Sequence, residues 1–291
     1  MPEYDEHSSR LERRRLQTAR RAARRRNMAI ALSAAVVILA VLGVAGWLIY
    51  QKVQAGRKPV ARNYKVVLPE GLNNKEVAKK FDGETRGSIN EARFTAATRT
   101  GAYEYPFLTG ANGNLEGFLF PDTYDVTSLT SAHSAVDMML NDFAKETEHL
   151  EWSRAAQLGV TPYQIVTVAS IIEKEVKIPE ERPLVASVIY NRLKKNMKLG
   201  MCSTVLYALG QWKPRLTDKD LLVDSPYNTY KIEGLPPGPI CNPGFESIRA
   251  ALYPASTDYL YFLLTSADGH SSFTADYAQF QRWKDEQNKK Q

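Results

Sequence analysis

From Met28 to Tyr50 the chain runs MAIALSAAVVILAVLGVAGWLIY, 23 residues without a charged side chain. About 20 apolar residues in an α-helix cross the hydrocarbon core of a bilayer, and only a helix satisfies its own backbone there. The run therefore predicts one transmembrane helix over 28–50. Nine arginines stand against Glu3, Asp5, Glu6 and Glu12 in residues 1–27. Such a cluster beside a span stays in the cytoplasm, which sends everything C-terminal to the other side. Trp47 and Tyr50 lie at the end where interfacial aromatics collect. A cleaved signal peptide is disfavoured, because the run exceeds an h-region and no small-x-small site comes directly after it. Charge supports the same division. The tail holds +5 of the formal net charge of +6. The remainder of the chain is nearly neutral, which argues against a nucleic-acid partner.

Beyond the span, residues 51–62 are polar and predict a linker. Tyr64–Leu68 alternates like a strand and 74–81 fits a short helix, so 63–112 predicts a small strand-helix module that leans on its neighbour. The larger domain is expected over 113–285. Its Gly/Asn-rich start leads into the aromatic segment EGFLFPDTYD, then into helical pattern over 131–158. The stretches 204–209 and 218–222 follow without an assigned type, and a brief helix is predicted over 247–252. Strands at 259–264 and 269–274 read as a pair, and an amphipathic helix begins at Tyr277. The class is α+β.

Residues 161–196 organise this domain. Thr161 sits at an N-cap, Pro162 at the first helical position, and Gln164 completes a capping box. Ile165, Val168, Ala169 and Ile172 make an apolar face, and Ile178-Pro179 closes the helix. Glu180 and Glu181 suit the first turn of a second helix whose buried stripe is Leu184, Val185, Val188, Ile189 and Leu193. Near the first helix's end stand two acids, Glu173 and Glu175. Four scattered histidines give no metal set, no phosphate-binding glycine loop or GxSxG elbow occurs, and no cofactor is expected. Neither cysteine has the neighbourhood of a nucleophile. What remains is acid–base work by carboxylates beside Tyr and Asn side chains, which suit sugar rings. Helical phase does not separate the two acids. Position favours Glu175, because exposed C-terminal carbonyls raise a carboxyl pKa.

EGFLFPDTYDV, ASIIEKE, VASVIYNRL, STVLYALG, SPYNTYKIEGLPPGPICNPG and YLYFLL…GHSSFT occur in this order, and over about 65–280 the chain resembles the endolytic murein transglycosylases, the YceG-like family. The resemblance implies a bitopic membrane protein of the cell wall. It also implies a LysM-like piece in 63–112 and a catalytic domain with a lysozyme-like helix pair and antiparallel strands. Such enzymes cut peptidoglycan between N-acetylmuramic acid and N-acetylglucosamine without water, leaving a 1,6-anhydro end. Their partners are glycan strands and peptidoglycan synthases. The catalytic acid matches Glu175, with Glu173 a supporting acid near substrate. Asn191, Arg192, Tyr227, Asn228 and Tyr230 are implied to line or brace the cleft, and Asp122 to form an Asx-turn or touch ligand.

The sequence departs from the family pattern in places. Gly200-Met201-Cys202-Ser203 replaces the usual Gln-small-Asp before Thr-Val, Gln279-Phe280 stands where a Glu-His pair is common, and the membrane-proximal part is abbreviated. Cys202 and Cys241, in loops implied to share the cleft, are either disulfide-bonded or two free buried thiols. A hydrolase on the same scaffold and a non-catalytic wall-binding scaffold are the rival functions.

Overall fold

The computed structural model describes residues 3–55, 61–100 and 103–290. They divide after Val60 into two units.

The first unit is one helix, α1 (Glu3–Ala55). Within it Arg20–Gln54 is long and apolar enough to cross a membrane. Val36, Leu39, Leu42 and Trp47 are all exposed along it. The helix runs through Gln51–Ala55, so the first residues of the expected linker are helical. Arg, Ala, Leu and Gln are strong helix formers, and neither Gly nor Pro interrupts them after Pro2 except the two glycines inside the apolar run.

The second unit opens with β1 (Asn63–Val67), then α2 (Asn74–Glu84) and α3 (Glu91–Thr100). Asn73 and Glu76 form a reciprocal capping box at the start of α2. The two helices meet through Phe81 and Phe94, stacked at 4.8 Å. The partner of β1 is β2 (Thr123–Thr127), antiparallel, with Val66 opposite Tyr124. Nothing local to 123–127 predicts this strand. Pairing places Val66, Tyr124 and Val126 in the core. The boundary expected at 112/113 therefore runs through a shared sheet and core.

Next come α4 (Ala132–Thr147), α5 (Arg154–Gln157) and α6 (Pro162–Glu175). The helix predicted over 131–158 breaks between 147 and 154, where the Trp152 indole N–H donates to the Thr147 carbonyl at 3.2 Å. α6 starts as its residues require, with the Thr161/Gln164 capping box in place. Every residue from Ile165 to Ile172 is buried, polar Thr167 and Ser170 included. A helix covered on all sides is a core helix, not the one-faced helix the periodicity predicts. It ends at Glu175, earlier than Ile178, because Val176 is already extended (ψ 129°). Pro179–Glu181 then forms a single 3-10 turn ahead of α7 (Arg182–Lys194).

After α7 come α8 (Cys202–Leu209), α9 (Asp218–Leu221) and α10 (Phe245–Leu252). The antiparallel hairpin of β3 (Tyr261–Leu264) and β4 (Ser271–Thr274) is covered by α11 (Tyr277–Lys290). α7, α8 and α10 pack around α6, with α10 making the broadest contact. The segment between α9 and α10 passes close over α6. There the Ser170 hydroxyl accepts from the Ile240 amide at 3.0 Å. Gly117 is needed at this crossing: its φ is +93°, and a Cβ would stand 2.5 Å from Pro239 Cγ.

Candidate active site

Two residues apart on an α-helix point about 200° apart, so Glu173 and Glu175 must serve opposite sides of α6. Their surroundings differ accordingly. Glu173 Oε2 accepts the Gly244 N–H at 3.1 Å, just ahead of α10. Its Oε1 lies 3.8 Å from the guanidinium of Arg182, which is only 13% exposed. Glu70 shares that guanidinium at 3.8 Å. The side chain of Glu173 is 8% exposed and therefore tied down.

Glu175 turns the other way, into a cleft of about 370 Å3. Its Oε1 accepts the Ser203 N–H at 3.0 Å. Ser203 is the second residue of α8, so the carboxyl meets a free amide at a helix N-terminus. The Gly200 turn makes this possible. With φ at +56°, Gly200 donates its N–H to the Thr229 carbonyl at 3.0 Å, and the Met201 N–H donates to Thr229 Oγ1 at 2.9 Å. Burial pushes the Glu175 carboxyl above its ordinary range. Ser203 pulls it partly back, through the amide and a hydroxyl that lies close without closing a bond of its own, and the Arg192 charge adds to this. The protonated form is thus favoured by burial, while the Ser203 amide and the Arg192 charge stabilise the carboxylate once it forms.

Arg192 lines the same cleft, fixed by Nε donating to the Leu260 carbonyl at 2.6 Å and by a bond from Nη1 to the Leu199 carbonyl. Tyr230 and Cys202 line it too, the phenol oxygen 3.2 Å from Sγ. Phe262 and Phe280 supply apolar surface, and Lys177 and Lys284 positive charge. Among the described residues lining the cleft, Glu175 is the one acid. The hairpin turn that forms one wall is pinned from behind. Glu181 Oε1 accepts the Ser271 N–H at 2.9 Å and lies 3.1 Å from His270 Nδ1.

Residues 43–286 match the model of the YceG-like family. The chain belongs to the YceG-like family. It is 38% identical over 244 residues to a Bacillus subtilis protein named endolytic murein transglycosylase, a match covering 78% of this chain and 65% of that protein. A Streptococcus pneumoniae protein of the same name is 31% identical, over 70% of this chain and 41% of its own length. The chain thus spans under two thirds of these relatives. A crystal structure of a YceG-like protein from Listeria monocytogenes superposes with a TM-score of 0.68 at 34% identity, covering 81% of this chain and 80% of that one.

In this YceG-like chain, four of the residues singled out from sequence meet in one cleft: Glu175, Arg192, Cys202 and Tyr230. The others lie elsewhere. Glu173 is turned to α10. Asn191 donates to the Thr257 and Tyr259 carbonyls, holding the strand entry to β3. Asn228 is fully buried, donating to the Leu221 and Val223 carbonyls, so it holds its own loop out of reach of any substrate. Tyr227 packs on Tyr207 at 4.8 Å, away from Glu175. Asp122 lies outside the cleft, its Oδ1 accepting the N–H of the next residue, Thr123, at 2.6 Å. The disulfide alternative fails: both cysteines are free. Of the two buried thiols expected otherwise, only Cys241 is buried, against the Ser170 carbonyl at 3.3 Å, whereas Cys202 is exposed and faces the cleft. Sequence reasoning missed Ser203 and Glu181. Glu181 had only the signal of an acid beside a helix start, and Ser203 none, because its amide is what acts.

Proposed function

We propose that this protein is an endolytic peptidoglycan lytic transglycosylase, a lyase that cuts between N-acetylmuramic acid and N-acetylglucosamine. Protonated Glu175 gives its proton to the glycosidic oxygen as the bond from muramyl C1 breaks. The Glu175 carboxylate, held by the Ser203 amide, then takes the proton of the muramyl C6 hydroxyl while O6 bonds to C1. The products are an N-acetylglucosamine 4-hydroxyl and a 1,6-anhydro ring, and Glu175 ends as it began. One carboxyl whose proton is retained by burial and whose carboxylate is held by an amide suffices for both transfers. The observation that carries this reading is the single acid of the cleft. An inverting hydrolase needs a second carboxylate about 6.5–9.5 Å away to activate water, and a retaining one needs it closer.

The relatives' names support the same activity. α1 anchors the protein in the cytoplasmic membrane, its arginine-rich end inside and the second unit outside. Glycan strands near the synthases that polymerise them are the substrate, and cutting there ends elongation. The strand-helix piece over 63–112 is what remains of a LysM-like element, and α6 with α7 is the lysozyme-like pair. Mass spectrometry of uncrosslinked strands digested by the protein tests the reaction. Anhydromuramyl ends are expected; reducing ends in their place would assign the hydrolase.

A further inference from the structure

A second cleft, of about 670 Å3, opens at the other end of α8. Cys202 lines the first cleft and Tyr207 the second, and five residues of helix rise amount to about 7.5 Å. The floor is Glu116 of the EGFLFPDTYD segment, buried at 5% exposure. Its Oε1 accepts the Asn74 N–H at 2.9 Å, and the Tyr207 hydroxyl stands 3.3 Å from Oε2. Asn112 and Asn114 form an exposed rim. The backbone at the rim is left-handed at Asn112 (φ 47°) and Gly113 (φ 76°), and Asn114 Oδ1 turns back to accept the Glu116 N–H at 3.0 Å, which leaves the exposed Asn112 amide as the rim's free one. Trp212 is the other wall, an indole left 37% exposed. The Lys174 ammonium sits 3.9 Å from its ring centroid and also donates to the Gly71 carbonyl at 3.2 Å. Lys174 lies between the two acids of α6, so this wall is tied to the residue next to Glu175.

The chemistry of the lining is selective. Amide side chains both donate and accept, as vicinal hydroxyls and an acetamido group require. A broad aromatic face suits the C–H side of a pyranose, and its cost in ordering is small. Burial pushes the Glu116 carboxyl up to about 8, so at neutral pH the floor carries little negative charge, while its two oxygens accept from the Asn74 N–H and the Tyr207 O–H. A mostly apolar pocket with few polar groups would bind a hydrophobic ligand; here amides and hydroxyls stand beside the charged Lys75, Glu91 and Arg99. We propose that this cleft is a saccharide subsite that holds an N-acetylated sugar of the same glycan strand, away from the bond that is cut. The identity of the strand rests on the lytic reading of the Glu175 cleft. The subsite itself rests on the cleft's own lining. Its role is to hold long strands in register, so that short fragments are cut poorly.

The test uses the full-length protein in detergent micelles, with Glu175→Gln so that nothing is cleaved, titrated calorimetrically with the β-1,4 hexamer of N-acetylglucosamine. Trp212→Ala in that background is expected to weaken binding about tenfold, the upper range for loss of an aromatic contact. Trp212→Phe restores most of it. Asn112→Gly, which keeps the left-handed turn and removes only the amide, weakens binding by a smaller factor and guards against a folding artefact. Hexamer affinity unchanged by both Trp212→Ala and Asn112→Gly overturns the subsite. Binding of a free stem peptide, lost in Trp212→Ala while the hexamer does not bind, overturns it in favour of a peptide site. The two readings fail separately. Reducing ends from the wild-type protein, with Trp212-dependent hexamer binding intact, sink the lyase and leave the subsite; anhydro ends with Trp212-independent binding sink the subsite alone.

Discussion

The two sides of the end of α6 carry the same side chain and do opposite things with it. On one side Glu173 is closed in by Arg182, Glu70 and the Gly244 amide, and serves to join α6 to α10. On the other, Glu175 faces a cleft with one amide on its carboxyl and an arginine nearby. The difference teaches that acidity is assigned by what packs around a carboxylate. Both acids are flanked by the same lysine and leave the same helix turn. Only the partners brought from α7, α8 and α10 distinguish them.

The sharpest break of this comparison is removal of the proton at each site. Glu175→Gln is expected to lower the rate of strand cleavage by about 10²–10⁴-fold, the range of a lost general acid–base. Its folding stability should hold or rise slightly, since a buried carboxyl is replaced by an amide. Glu173→Gln should do the converse. It leaves Arg182, whose Nε is already buried without a partner, short of a counter-charge. A loss of about 2–3 kcal/mol in urea unfolding is expected, below the figure for a fully buried pair because Glu70 remains.

A third prediction concerns pH. Glu116 holds its proton up to about 8 in the fold but only to the ordinary 4.5 when unfolded. Between those values the folded state binds more protons, so stability falls as pH rises through the window. Glu116→Gln should remove that component, on the order of 1 kcal/mol or more, seen as a flatter Tm between pH 5 and pH 8. Glu175, raised in the same direction, gives activity an alkaline limb. Arg192→Gln, which removes a charge that lowers the Glu175 pKa, should move that limb upward.

The smallest effect is at the cysteines. A thiol reagent should label one cysteine in the native protein, Cys202, and two after unfolding. No labelling at either stage without reductant would mean the pair is bonded after all.

Local signals in the sequence were enough for elements whose cause is local. The Thr161/Gln164 box, the Pro162 start and the hairpin of β3 and β4 all follow from neighbours in the chain. β2 escaped, because TYDVT is a strand only by virtue of β1, about 60 residues earlier. The apolar face assigned to α6 was half of the truth. Thr167 and Ser170 look like a polar face until their hydroxyls are seen bonded within the helix. The motif loops named the right neighbourhood, yet motif membership could not separate Tyr230, which reaches the cleft, from Asn228 two residues earlier, which holds the loop. Glu116 was in plain view among aromatics. Its role depends on Asn74 and Tyr207, far apart in the chain, and no spacing rule joins them.

Two acids, two residues apart, divide the labour at the end of α6. The direct measurement is the rate at which anhydromuramyl ends appear from uncrosslinked glycan strands, with Glu175→Gln and Glu173→Gln compared at a temperature where both remain folded. The expected result is near-complete loss for Glu175→Gln and a rate within about tenfold of wild type for Glu173→Gln, since tenfold is only about 1.4 kcal/mol of barrier. The reverse order, with Glu173→Gln inactive and Glu175→Gln active, would contradict it.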